Sequence, residues 1–322
     1  MQNPLNQREI RALASSHTPR ERFGPQTAYQ ALVIDLNEIE ETYSAWLQDL
    51  PCPIIGVGSG ELAPACDVVL PDGSKLPKIL GTINHAPIAA MTLVQHLRAA
   101  ETLGLTDTLT AESFAYGTLQ TGPEFKTWLA GYAKQDLATS DNDPLELEIK
   151  NNALSIRLNR PETHNAIGIE MRDALCEALD LALTDTSISK VLLSASGRVF
   201  STGGAIEEFG EVSDPATAHW VRSLRLPAWR LARLQDKLEA HVNGAALGAG
   251  AEIAAFGQRV TASKDAWFQL PELKYGLIPG AGGTASLPHR IGRQRTAYMA
   301  LSMDKIPAET ALSWGLIDAI ID

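Results

Sequence analysis

Residues 241–252 read HVNGAALGAGAE: the end of a strand, a tight turn, a glycine-rich turn and the start of a helix. Ala240 and Val242 are the apolar strand end, and Asn243-Gly244 turns the chain. Gly248-Ala249-Gly250 follows, then an alanine-rich helix with Glu252 in its first turn. The first N–H groups of a helix lack intrahelical acceptors, and the helix dipole adds partial positive charge there. Small side chains let a ligand reach that backbone. Such a helix start suits an anion, or a carbonyl oxygen that becomes one during reaction. A dinucleotide fingerprint is not met, because Ile253 stands where its third glycine is needed.

Two other segments share this design. Phe200-Ser-Thr-Gly203-Gly204-Ala205 is a strand exit with bare backbone amides, and Pro271-Glu272 sits on a turn after Trp267-Phe268-Gln269-Leu270. Donors from two loops can hold one oxyanion. Glu252 and Glu272 can then flank a water molecule as a general acid–base pair. His164, His241 and His289 have no Ser or Cys partner at a recognisable spacing, and no nucleophile elbow exists, so they read as structural or near a cofactor-like tail.

Further out, the pattern is α/β. Residues 31–35, 53–57 and 67–70 read as short strands, 38–50 and 87–100 as helices, and the aromatic segment around Glu112–Tyr116 and Gly122–Tyr132 as a last helical region with core aromatics. The glycines at 56, 58 and 60 lack the Lys and Ser/Thr of a phosphate loop and read as a turn. Residues 138–144, small and polar and ending in proline, read as a linker. A hairpin turning at Asn151-Asn152 follows, then an amphipathic helix with Met171, Leu175, Leu179 and Leu183. Ser213-Asp214-Pro215 starts a helix running toward Leu234, interrupted or kinked at Pro227. Repeated strand–strand–helix units with glycine-rich strand exits predict a coiled stack.

A net charge of -11 leaves no basic excess to neutralise phosphates, which argues against a nucleic-acid partner. Cys52, Cys66 and Cys176 are scattered and odd in number, so neither a disulfide framework nor a thiolate metal site is expected. The polar first residues lack a secretory apolar core, and no apolar run has the length of a membrane span, so a cytoplasmic location without membrane partners is expected. Several Arg and Ser near the start leave an organellar presequence open.

With these residues in view, 144–322 resembles the crotonase (enoyl-CoA hydratase/isomerase) family. The stretches LNRPETHNAI, VFSTGGAIEEF, HVNGAALGAGAEIA, ASKDAWFQLPELKYGLIPGAGGTASLPHRIG and ALSWGLIDAI occur in family order. The resemblance implies an α/β spiral of strand–strand–helix units, an acyl-CoA thioester substrate, no metal or redox cofactor, and a homo-oligomer. It implies that Gly204 and Ala249 supply the oxyanion-hole N–H groups and that Glu252 and Glu272 are catalytic, the split of roles between them left open. Gly203, Ala205, Gly248 and Gly280 are expected to line the substrate. Ala205 stands where many relatives carry Asp, and Ala249 where Gly is commoner. The family usually continues past its Gly-Leu-Ile-Asp segment into C-terminal helices, whereas this sequence stops at Asp322. The expectation is therefore a domain at 144–322 without those helices. It is preceded at 1–143 by a small α/β domain, an accessory unit or a decayed half of the same kind. The expected activity is addition of water to a 2-enoyl-CoA. The alternatives are an isomerase or acyl-CoA hydrolase on the same scaffold, or a non-catalytic binding subunit.

Overall fold

A computed structural model describes all residues except 1–3, 17, 40–42, 135–142, 213 and 322. Most of the expected linker, and Ser213 of the expected helix start, lie outside the described residues.

The N-terminal part opens with α1 (Gln7–Ser15), closed by a capping box in which Asn6 and Glu9 satisfy each other's backbone N–H. Strands β1 (Leu32–Asp35), β2 (Ile54–Val57) and β3 (Val68–Leu70) form a parallel sheet in that order. The helix expected over 38–50 is much shorter: α2 spans Ser44–Asp49. The Asp35 carboxylate accepts from the Asn37 N–H and closes a 3-10 turn at Leu36–Glu38 instead, a local side-chain bond that competes with helix. Four helices follow: α3 (Leu76–His85), α4 (Pro87–Ala100), α5 (Leu105–Gln120) and α6 (Pro123–Gly131). The sequence reading missed α3. Pro87, which favours a helix start, divides it from α4.

The second part begins with the hairpin β4 (Leu145–Lys150) and β5 (Ala153–Leu158). Asn151 and Asn152 turn it at φ 50° and 62°, the left-handed pair that matches strand twist. Then come α7 (Ile169–Thr184), β6 (Lys190–Ala195), β7 (Val199–Ser201), α8 (Pro215–Arg225) and α9 (Ala228–Arg233), the last two separated at Leu226-Pro227. The chain continues through β8 (Leu238–Val242), β9 (Ala245–Leu247), α10 (Ala249–Ala254), β10 (Arg259–Ala262) and β11 (Trp267–Gln269). It closes with α11 (Gly283–Ile291), α12 (Arg293–Ser302), β12 (Ile306–Pro307), α13 (Ala308–Trp314) and β13 (Ala319–Ile320). Strands β6, β8 and β10 enter a six-stranded sheet; their immediate successors β7, β9 and β11 enter a four-stranded one. Each strand pair therefore turns a corner and leads onward, the expected α/β spiral. Gly244 makes one such corner at φ 67°, where any Cβ would collide with the Arg198 carbonyl.

One buried cluster crosses both parts. Ile79, Leu93, Leu97, Leu109 and Phe125 pack with Leu179, Phe200, Phe256 and Leu277. Helix α5 lies against α8, α9 and α11, and α4 against α11 and α12. A second cluster, including Ile10, Phe23, Ile34, Leu47 and Cys66, packs with the three-stranded sheet. Buried Asp67 takes the guanidinium groups of Arg98 from α4 and of Arg293 from α12, the latter at 2.9 Å, and ties β3 to both helices.

Candidate active site

Two loops present backbone donors. Ile167 N–H donates to the Gly203 carbonyl (2.7 Å) and Ala205 N–H to the Ile167 carbonyl (3.3 Å), which turns the intervening Gly204 N–H the other way. The Gly248 N–H is taken by the Gln269 carbonyl (2.9 Å), and Ala249 is the first residue of α10. Among the described residues neither the Gly204 nor the Ala249 N–H has a protein acceptor. Gly203 binds the loops together: a Cβ there would stand 2.8 Å from the Leu247 carbonyl oxygen and 3.3 Å from the Ala249 nitrogen. Asn165 fixes the first loop from behind, its side chain bonding Arg160, Ser196 and Val199 backbone groups.

Glu252 is 1% exposed. Its Oε2 accepts from Ala281 N–H (2.6 Å) and Gly283 N–H (2.7 Å). Burial, then the like charge of Glu112, push its carboxyl up to about 8. Glu272 opens a 3-10 turn at Glu272–Tyr275. Its carboxylate lies over Gly248, where a Cβ would collide with it. Its Oε2 is buried without a hydrogen-bond partner, a costly state for a charged oxygen. Burial and the nearby Glu252 hold its carboxyl well above the usual range. Two raised carboxyls beside two unspent N–H donors can trade protons with a substrate whose oxygen those donors hold.

Sequence reasoning missed three residues here. Glu112 and Tyr116 stand one turn apart on α5, and Arg222 is on α8. The Tyr116 ring packs on Gly280, and the Arg222 guanidinium lies 4.4 Å from the ring centroid. Tyr116, Arg222, Gly204, Ala205, Phe209 and Leu226 are among the residues lining a cavity of about 210 Å³. Glu252 and Glu272 lie outside that lining, and Tyr116, whose hydroxyl feels both charges, belongs to it. The one available signal was a carboxylate on a largely apolar helix, Leu109 to Tyr116, read as ordinary core aromatics. The three singled-out histidines are elsewhere: His164 in a left-handed turn, His241 bonded to Thr261 and His289 late in α11. Among the described residues no group of three or more His, Cys, Asp or Glu is placed to hold a metal ion, and no helix is long and apolar enough to cross a membrane.

Comparison with known proteins gives one consistent picture. The enoyl-CoA hydratase/isomerase family model matches residues 148–322. The 2,3-dehydroadipyl-CoA hydratase of Escherichia coli K12 is 38% identical over 168 residues, covering 52% of this chain and 65% of that protein. The 1,2-epoxyphenylacetyl-CoA isomerase of the same strain is 35% identical over 178 residues, covering 54% and 68%. The chain thus spans about two thirds of the length of these curated relatives. The crystal structure of enoyl-CoA hydratase from Thermoplasma volcanium GSS1 superposes with a TM-score of 0.50 at 32% identity, over 56% of this chain and 73% of that one.

Proposed function

Since this chain belongs to the enoyl-CoA hydratase/isomerase family, we propose that it is an enzyme acting on an acyl-CoA thioester, adding water across a 2-enoyl-CoA double bond or removing it. The observation that carries the reading is the Glu272 carboxylate, which lies through Oε1 against Gly248, the residue before Ala249, and keeps a buried, unpartnered Oε2. In this reading the thioester oxygen accepts from Gly204 and Ala249, which stabilise the enolate as charge moves onto it. A water between Glu252 and Glu272 loses a proton to the ionised carboxyl as its oxygen bonds the β-carbon. The protonated carboxyl gives its proton to the α-carbon, and the pair is reset by exchange between them. The addition is redox-neutral and its steps use only backbone donors and carboxyls. Gly203, Ala205, Gly248 and Gly280 serve as the close-packed walls. We further read the N-terminal unit as the cover of the site, the chain as self-associating through the exposed Phe114, Trp220 and Leu224, and its location as cytoplasmic.

One observation favours a second reading. Glu252 is anchored by two backbone donors whereas Glu272 is free at Oε2. A single mobile carboxylate carrying a proton between two carbons is what double-bond isomerisation needs. Mixing the protein with crotonyl-CoA and with longer and aromatic 2-enoyl-CoAs decides between them. Loss of the conjugated-thioester absorbance is expected. Its gain from a 3-enoyl-CoA, with 2-enoyl-CoAs untouched, would replace the hydratase by an isomerase.

A further inference from the structure

The N-terminus of α11 serves two carboxylates in alternation. Ala281 and Gly283 N–H donate to Glu252 at 2.6 and 2.7 Å; Gly282 and Thr284 N–H donate to Glu112 at 2.9 and 3.0 Å. Thr284 Oγ1–H adds a fifth bond, to Glu112 at 2.7 Å, and itself accepts from His96 Nε2 at 2.7 Å. His96, on α4, is held neutral by burial. Glu112 is fully buried, and Arg222 is its ion-pair partner at 3.4 Å. Three carboxyls, Glu112, Glu252 and Glu272, thus share one enclosed cluster with one guanidinium. Like charges so placed cannot all be ionised together.

We propose that Glu112, supplied by the N-terminal unit, is a positioning residue of this site: its carboxylate shares the α11 N-terminus with that of Glu252 and so governs which of the two carries the proton. The proposal rests on the assignment of Glu252 to proton transfer. Glu112 does not touch the substrate. With its charge present, Glu252 keeps a proton to give; with the charge removed, burial alone holds the Glu252 carboxyl up, and it gives its proton up more readily. The direction of the Glu252 shift agrees, Glu112 being the largest charge effect on it. The other groups facing Glu252 are few. Tyr116 on α5, Glu272 in its 3-10 turn and Arg222 on α8 complete the cluster. Strands β7 and β9 carry no titratable side chain. In β8, Glu239 pairs with Lys190 and His241 bonds Thr261. His289 and Arg290 sit in the last turn of α11, Arg290 pairing with Asp318.

The test is a carbon-13 NMR titration of glutamate side-chain carboxyls in the full-length protein, which needs no substrate. Glu112→Gln is expected to lower the Glu252 midpoint by about one unit, the scale of a close like charge. Glu112→Asp, which keeps the charge but shortens the side chain, is expected to restore most of it. Thr284→Val leaves every carboxyl in place and strips one donor from Glu112; the proton then moves toward Glu112 and the Glu252 midpoint falls. Where a hydration rate is measurable, the same variants should shift the pH profile of kcat and leave KM nearly unchanged. A Glu252 midpoint unmoved in either folded variant, Glu112→Gln or Thr284→Val, overturns the proposal. Failure to hydrate any enoyl-CoA would overturn the proposed reaction while the titration still reports on Glu112.

Discussion

At the scale of single residues, the proposed chemistry depends on Glu252, Glu272 and the Ala249 N–H. Glu252→Gln and Glu272→Gln should each lower kcat by at least about a hundredfold, measured on the best enoyl-CoA with folding confirmed by circular dichroism. Near wild-type turnover in both would remove the mechanism. Ala249 is the first residue of α10, a position where proline is well tolerated. Ala249→Pro therefore deletes the donor and sets a ring CH2 in the place of its hydrogen. It should cost about two to three orders of magnitude in kcat, while Ala249→Gly stays close to wild type; equal rates would dismiss the oxyanion assignment. Burial also links Glu252 to stability. Its carboxyl titrates near 8 in the native state and near the ordinary carboxylate value when unfolded, about 4.3. Between those values the native state binds more protons, so the unfolding free energy falls as pH rises through that window. Urea midpoints from pH 5 to 8 should show the fall, and Glu252→Gln should reduce it, the raised carboxyl of Glu272 supplying part of what remains.

At the scale of elements, what was legible and what was not divides by distance along the chain. The hairpin at Asn151-Asn152, the break at Pro227 and the strand–turn–helix of 241–252 are set by neighbours in sequence, and the matching elements form. Glu112 was read only as part of a core helix, because its partners Gly282 and Thr284 are 170 and 172 residues away. No local pattern marks such a pairing. Glu252, by contrast, stands beside its own glycine-rich turn at Gly248-Ala249-Gly250. Helix α5 is seated by Gly280, against which Tyr116 packs. Gly280→Ala should force that ring outward and cost about 1–3 kcal/mol of stability, the scale of an overpacked core. A thermal unfolding midpoint equal to wild type would show that α5 yields freely.

At the scale of the whole molecule, helices α3–α6 share a single buried cluster with the second part. A fragment of residues 144–322 would lack the helices that pack on α11, α12 and the Glu272–Tyr275 turn and would expose those apolar faces, and large exposed apolar surfaces favour aggregation. It should be poorly soluble and lose most of its kcat. A soluble, fully active fragment would make the N-terminal unit a passenger. The shared core also has a consequence for synthesis on the ribosome. Leu109 and Phe125 emerge early, yet the helices α8, α9 and α11 that pack on the first one's helix, and Phe209 and the Glu272–Tyr275 turn that meet the second one's, are made much later. At about 5–20 residues per second, the nascent helices wait on the order of ten seconds with their apolar faces open. Their guardians during that interval must come from outside the chain, so yield in the cell should follow chaperone supply more closely than it follows equilibrium stability.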